Sequence, residues 1–365
     1  MVSPQSWGKM FVSKHHYAVE LAKRGNRVFF LNPPDTALKE RVQINAVEET
    51  PGLFIISHRL NFPYNIKFHA IAVFHSLMQW QVKKILHAIG KPVDIVWSFD
   101  LGNLYPFKLF PQNTLRIFHP VDEPLNTTAL DSAKGAQVIF SVTSEILDKY
   151  KDLGVPCHLI DHGVSESFFQ TGSSATSNGP LRVGFSGNLL RPDIDKPVLL
   201  QVIRENPNIV FDLFGSYQKA QANIGGEADS ETSLFIENLR SFSNVVLHGA
   251  VSSTALCAAY NKLDAFLICY DVIKDQSKGT NYHKIMEFIS TGKVIVSNNV
   301  TAYQTKPHLV TMVDERDNNR KLPALFKKTI LALDENNSAA LIASRKAYAR
   351  QHTYSNQLKK IENLL

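Results

Sequence analysis

Residues 278–297 read KGTNYHKIMEFISTGKVIVS, a helical stretch running directly into a short apolar β-branched run. Tyr282, Ile285, Met286 and Ile289 fall at i, i+3, i+4 and i+7, which makes one apolar helix face. Thr280, just ahead of them, is expected as the N-cap. At 100° per residue, Lys284 and Glu287 lie on the opposite face with Thr280 and His283. A solvated i,i+3 ion pair worth about 0.2–0.5 kcal/mol would account for them. A cation in the first turn nevertheless opposes the helix dipole, and an anion bound at that helix end explains Lys284 better.

Working outward, the same helix-then-strand unit recurs, the pattern of parallel strands joined by crossover helices. The strand candidates of the first half are RVFFLN, LFIIS, DIVWSF, LRIFHPV, QVIFSVT and HLIDHGV. Phe11, His15, Ala18, Leu21 and Ala22 mark one face of a helix ending at Gly25. The polar segment QTGSSATSNGP, residues 170–180, reads as a linker. After it come LRVGFSG, a helix from Asp195 to Glu205, then IVFDLFGS, NVVLHGA, AFLICY, KVIVSNN and LVTMVD. The expected fold class is therefore α/β, two doubly wound Rossmann-like domains. The first spans 1–169 and the second 181–350, and a tail at 351–365, helical over Tyr354 to Leu364, crosses back to the first. Only MVS precedes the first polar loop, so the chain is expected to begin inside its first strand.

With 365 residues, 44% of them apolar and 20% charged, the chain can fill two cores. No apolar run approaches ~18 residues, so no membrane-spanning helix is expected. The opening MVSPQSWGK lacks the pattern of a secretory signal. Cys157, Cys257 and Cys269 share no metal-ligand spacing and read as reduced core thiols of a cytoplasmic protein. The net charge of +6 suggests an anionic partner. A concentrated basic stripe is lacking, which argues against nucleic acid. Residues 58–91 mix aromatic and basic side chains. They read first as a packed helix with a solvated basic face, and second as a membrane-surface patch at the inner face of the cell membrane.

Ligands of open α/β sheets collect beyond the carboxyl ends of strands, so polar residues after strands are the site candidates. GFSGNLLRPDIDK offers Gly187 for close backbone approach and Arg191 to neutralise a phosphate. Gly215, Ser216, His248, Gly249 and Val251 stand at other strand ends, where ordinary turn chemistry accounts for each one alone. Neither GxxxxGK[ST] nor GxGxxG follows any strand, which weakens kinase and dehydrogenase readings. In the first half, Asp100, His119 and Asp122 follow strands and could take a proton from an attacking hydroxyl. An ordinary turn role is equally open to each. Lys14, His15 and His16 form no zinc site, because adjacent helical residues diverge by 100°.

Taken together, these segments resemble the GT-B glycosyltransferases, specifically a family 4-like group that includes teichuronic acid and polysaccharide assembly enzymes. That group carries K-x-x-E-[YF]-x-x-x-G-K-x-[VI]-V, matched from Lys284 through Glu287, Phe288, Gly292 and Lys293 to Val296. The turn Asp161, His162, Gly163, Val164 and the opening SPQSWGKMFVSKHHYAVELAKRG are also similar, and the resemblance covers nearly the whole chain. It implies two domains facing a central cleft, with the donor on the second and the acceptor on the first. By position, Gly187, Asn188 and Arg191 would face a donor diphosphate, and Lys284 would bind phosphate oxygens. Val251 and Tyr270 would lie near base and sugar, and Glu287 would hold the ribose. Gly215 and Asn281 complete the donor set.

One departure is Gly279, where many members have a glutamate that often contacts the donor sugar. Donor sugar and stereochemical course therefore stay open. The implied activity is transfer of a sugar from a nucleotide diphosphate, UDP ahead of GDP, to a glycan or lipid-linked hydroxyl. No metal or other cofactor is expected. Asp122 is the first candidate base, then Asp100 and His119; a retaining reaction would need none. A nucleotide-sugar epimerase and a non-catalytic partner keeping this fold are the alternatives.

Overall fold

The structure, a computed structural model, describes residues 1–8, 11–169, 179–218, 230–275 and 278–365. Most of the expected linker, 170–178, lies outside the described residues. In chain order the strands are β1 (Val28–Leu31), β2 (Val42–Ala46), β3 (Leu53–His58), β4 (Ile95–Ser98), β5 (Leu115–Phe118), β6 (Val138–Ser141), β7 (Cys157–Leu159), β8 (Arg182–Ser186), β9 (Val210–Phe214), β10 (Val245–Gly249), β11 (Ala265–Ile268), β12 (Val294–Ser297) and β13 (Thr311–Met312). The chain forms two compact units, Met1–Asp161 with Tyr354–Leu365, and His162–Thr353. Residues 162–169 thus pack with the second unit, where Val164 and Phe168 are core residues.

In the first unit, β4-β5-β6-β7 form one parallel sheet, while β1 and β3 pair in parallel with β2 antiparallel outside them. Residues 1–3 join the two pieces. Val2 bridges both Leu31 and Ser98 in parallel, and Val2 N–H donates to the Trp97 carbonyl at 2.8 Å while Phe99 N–H donates to Val2 at 3.0 Å. On the other side, Leu31 N–H donates to Met1 at 2.9 Å and Ser3 N–H to Leu31 at 3.2 Å, so three residues do the pairing of a central strand. Strand β2, VQINA, was not among the expected strands. It lies at a sheet edge with every residue at least partly exposed, so it lacks the apolar alternation that marks a buried strand.

The helix Ser13–Lys23 packs with the C-terminal helix Tyr354–Glu362, also in this unit. Arg24 N–H groups donate to the Ser355 carbonyl at 2.6 Å and pair with Glu362. Tyr17, Trp97, Phe99, Phe140, Tyr354 and Leu358 fill the core between helix and sheet.

The second unit is a six-stranded parallel sheet in the order β10-β9-β8-β11-β12-β13. The chain winds outward through β8, β9 and β10, then restarts on the other side of β8 with β11. The carboxyl ends of β8 and β11 therefore flank the point where strand order reverses, the usual ligand position of such sheets. The run VIVS of β12 is buried at every residue, as a central parallel strand requires. Ahead of it, the helix His283–Thr291 buries Ile285, Met286, Phe288 and Ile289, and ends at Gly292 in the left-handed region (φ 81°). Buried Arg345 secures that end, with N–H groups donating to the carbonyls of Gly292 at 3.1 Å, Asn336 at 2.8 Å and His308 at 3.0 Å. Burial brings its guanidinium down to about 10.

Candidate donor site of the second unit

At the switch point the strand ends approach through bare backbone. Gly187 N–H donates to the Phe214 carbonyl at 2.9 Å, Gly215 N–H to Gly249 at 2.8 Å, and Leu189 N–H to Ser216 at 2.9 Å. A Cβ on Gly215 would lie 1.8 Å from the Gly187 carbonyl oxygen, and one on Gly187 would lie 2.5 Å from the Tyr270 hydroxyl. Gly215 has φ +136°, so glycine is required here for both conformation and space. Asn188 turns its amide oxygen back on its own loop, accepting from Leu190 N–H at 3.0 Å.

Beyond these turns lies a charged cluster the sequence did not reveal. The Arg191 fork clasps Asp193, with Nε donating to Oδ1 at 2.8 Å and a terminal N–H to Oδ2, and it reaches Asp275 Oδ1 at 3.5 Å. The guanidinium also sits 5.5 Å from the centre of the Tyr270 ring. Burial works against its charge, but the Asp193 hydrogen bond and the surrounding negative groups outweigh that and raise its pKa. One guanidinium cannot balance two buried acids, so burial and the Asp275 charge raise the Asp193 carboxyl. Arg191, expected to be available to a phosphate, is thus held by side chains of its own unit.

Asp275 organises the loop before the helix His283–Thr291. Its Oδ2 accepts from Tyr282 O–H at 2.7 Å and Gly279 N–H at 3.0 Å. Lys278 and Gly279 both take positive φ, 50° and 65°. The chain therefore enters the helix only at His283, with Tyr282 at the cap position and no side-chain cap. The expected Thr280 cap is corrected accordingly: Thr280 is buried in the preceding loop, where its carbonyl accepts from Ala302 N–H at 3.0 Å. A Cβ on Gly279 would meet the Asn299 carbonyl oxygen at 2.9 Å. A glutamate at this position would strain the loop, so glycine there is a structural demand of this chain.

Lys284 and Glu287 do pair across one helical turn, Nζ lying 2.9 and 3.1 Å from the two carboxylate oxygens. The pair is not solvated as an ordinary surface pair would be, because Glu287 is only 8% exposed. Its carboxylate lies against the buried Tyr260 phenol. Burial first, and then that charge, push the phenol well above its ordinary value. Ser186, at the end of β8, lies near the same phenol. Tyr270, at the end of β11, is buried and pushed up to about 12 by that burial, against the opposing pull of Arg191. Asn281 is buried in the loop, and Val251, after β10, is half-buried against the core.

The first unit sorts its three acid–base candidates. His119 is 0% exposed and stacks 5.0 Å from Phe99 and 5.8 Å from Trp97, so it is a core residue rather than one that meets a substrate hydroxyl. Asp100 accepts from Gly102 N–H at 2.7 Å and Leu104 N–H at 2.8 Å, the role of a turn residue. Asp122 is exposed. Lys14, 2% exposed in the first turn of its helix, is brought down to about 8 by burial, against the raising influence of Asp122 and Asp100. Among the described residues no group of three or more His, Cys, Asp and Glu is placed to hold a metal ion.

No protein-family model matches the chain, and no curated protein matches it in sequence. Solved structures do. A sucrose-phosphate synthase from Thermosynechococcus elongatus is similar over 95% of this chain and 91% of its own, with a TM-score of 0.69 and 13% identity. Anabaena HepE, in complex with UDP and glucose, is similar over 100% and 99%, with a TM-score of 0.68 and 14% identity. The Escherichia coli trehalose-6-phosphate structure bound with UDP-2-fluoro glucose is similar over 100% and 98%, with a TM-score of 0.68 and 11% identity. The fold is that of the GT-B glycosyltransferases.

Proposed function

We propose that the chain is a glycosyltransferase of the family 4-like type, moving a sugar from a UDP-sugar to a hydroxyl of a glycan or lipid-linked acceptor. It would act in cell-surface polysaccharide assembly at the inner face of the cell membrane. The observation that carries this is the placing of Lys284 and Glu287. They stand in the first two turns of the helix that follows β11, whose carboxyl end flanks the switch point of a sheet whose strand ends are bare backbone. That arrangement offers a cation and helix N–H groups to a diphosphate and a carboxylate to ribose hydroxyls. The likeness to structures carrying UDP and UDP-sugars supports the donor class.

In this reading Gly187, Asn188 and Gly215 lie against the diphosphate, and Tyr270, Val251 and Asn281 near base and sugar. Arg191 supports the donor loop through Asp193 and Asp275. Catalysis rests on positioning and on stabilising the leaving diphosphate without a metal. Asp122, exposed in the first unit, is the candidate base, while Asp100 serves its turn and His119 its aromatic core.

The test is a thermal-shift panel of UDP- and GDP-sugars. A donor at about 100 times its Kd stabilises by about 2.7 kcal/mol, which raises Tm by roughly 5–10 °C. A wild-type chain that no nucleotide sugar stabilises, with Lys284→Ala indistinguishable from it, sinks the reading.

A further inference from the structure

Large exposed apolar side chains concentrate in one stretch of the first unit. Tyr64, Phe68, Ile71, Val73 and Trp80 are all exposed, Phe68 at 71% and Val73 at 53%. They belong to the short helix Ile66–His69, its leading turn, and the helix Ile71–Ile89. The longer helix turns Phe74, Met78, Gln81, Val82 and Ile85 inward. Its outward seam repeats at i, i+3, i+7, i+10 and i+14 as Val73, Ser76, Trp80, Lys83 and His87, all exposed. The seam therefore begins apolar and ends aromatic and basic.

The basic end opens onto a groove of about 740 Å³ lined by Lys39, Arg41, Trp80, Lys83, Lys84 and His87, with Glu40 the one acid in its lining. Lys84 Nζ lies 3.2 Å from the centre of the Trp80 ring. Lys67 stands over Tyr64 in the same way at 5.6 Å, and Tyr64 packs edge-on against Phe68 at 5.8 Å. Cations and aromatic rings thus alternate along a face that nothing among the described residues of its own unit covers. Among the described residues no helix is long and apolar enough to cross a membrane.

We propose that this face docks the first unit onto an anionic lipid bilayer. Phe68, Val73 and Trp80 enter the interface, and the groove of Lys39, Arg41, Lys83 and Lys84 takes acidic headgroups. The charges fit one sign of partner, and the exposed apolar rings fit a partner that offers an apolar phase beside that charge. A soluble polyanion would use the lysines but leave Phe68 and Val73 in water. The assignment rests on the reading above that the enzyme works at a membrane, and it names the surface and the lipid chemistry.

The test is flotation of the full chain with vesicles of phosphatidylcholine alone, and of phosphatidylcholine mixed with phosphatidylglycerol. Binding is expected only to the mixed vesicles. Lys83→Gln/Lys84→Gln should weaken it on the order of thirtyfold, at the usual effect of a basic residue near an anionic surface. Phe68→Ser should weaken it roughly tenfold or more. Phe68 and Lys83 are exposed and Lys84 is half-buried over Trp80, so Tm should move little. Equal binding to both vesicle types overturns the proposal, as does binding unchanged by Phe68→Ser. Heparin is the control arm: a chain that binds heparin through Lys83 and Lys84 but neither vesicle has a soluble polyanion as partner, and the membrane assignment fails. The UDP-sugar thermal shift, run on the same variants, should be unaltered. Loss of that shift in wild type with vesicle binding intact removes the donor reading and not this face.

Discussion

The Lys284 ammonium spans both carboxylate oxygens of Glu287, at 2.9 and 3.1 Å, one helical turn apart and mostly sheltered from water. Removing the cation strands a carboxylate that is 8% exposed. Lys284→Met should therefore destabilise the second unit by roughly 1–3 kcal/mol, read as a lower urea midpoint. Lys284→Met/Glu287→Gln removes both charges and should recover most of that stability. A structural pair would recover everything in the double variant; a donor site would recover stability while the UDP-sugar thermal shift stays lost.

Gly279 tolerates no side chain. With φ +65° and a Cβ that would meet the Asn299 carbonyl at 2.9 Å, Gly279→Ala and Gly279→Glu should each cost roughly 1–3 kcal/mol in chemical denaturation. Installing a glutamate at this position should not improve donor binding. An undiminished midpoint in Gly279→Glu would show that the loop readjusts freely.

Acid should weaken the first unit before it weakens the second. Burial pulls His15 and His58 down to about 4 from the ordinary 6.5. The unfolded chain takes up protons that the folded unit refuses, so their contribution is intact above about pH 6.5. It is lost as pH falls toward about 4, at up to roughly 3 kcal/mol each. His58 sits in a buried network with Tyr105 and Gln81, its Nδ1 lying 3.1 Å from the Gln81 amide. His58→Gln should flatten the fall of Tm between pH 6.5 and pH 4 while lowering Tm at neutral pH. An unchanged slope would refute this assignment.

Arg345 binds only carbonyl oxygens and one amide oxygen, through a planar set of donors. Lysine cannot reproduce that fork, so Arg345→Lys should cost about 2–4 kcal/mol despite keeping the charge. Amide exchange should quicken first in residues 285–292, whose helix end it secures.

The parts of this fold that were legible in the sequence are the ones that local periodicity dictates. The run VIVS, the helix expected from Asp195 to Glu205 and found at Lys196–Glu205, and the apolar positions 285, 286 and 289 all behave as their spacing requires. The parts that were not legible depend on partners far away in sequence. Asp275 reaches back 84 positions to Arg191 and also holds Gly279 and Tyr282, in a loop where the cap position falls on Tyr282 instead of Thr280. His119 follows an apolar strand and looked like a strand-end polar group, yet its N–H still pairs with Ser98 at 2.8 Å, so the ring stays inside the aromatic core. The helix at 71–89 is the packed helix expected within residues 58–91, with Phe74, Met78, Val82 and Ile85 buried, while its exposed face carries Ile71, Val73 and Trp80 as well as basic residues.

The approach of Gly215 to Gly187 divides this region into two classes of mutability. Where a Cβ would fall 1.8 Å from a carbonyl oxygen, random libraries should return glycine alone, whatever activity is selected. Half-buried Val251 is shaped by its side chain and open to exchange. A change of donor preference gained by laboratory evolution would thus have to accumulate around the glycines, leaving the peptide floor beneath it as it stands.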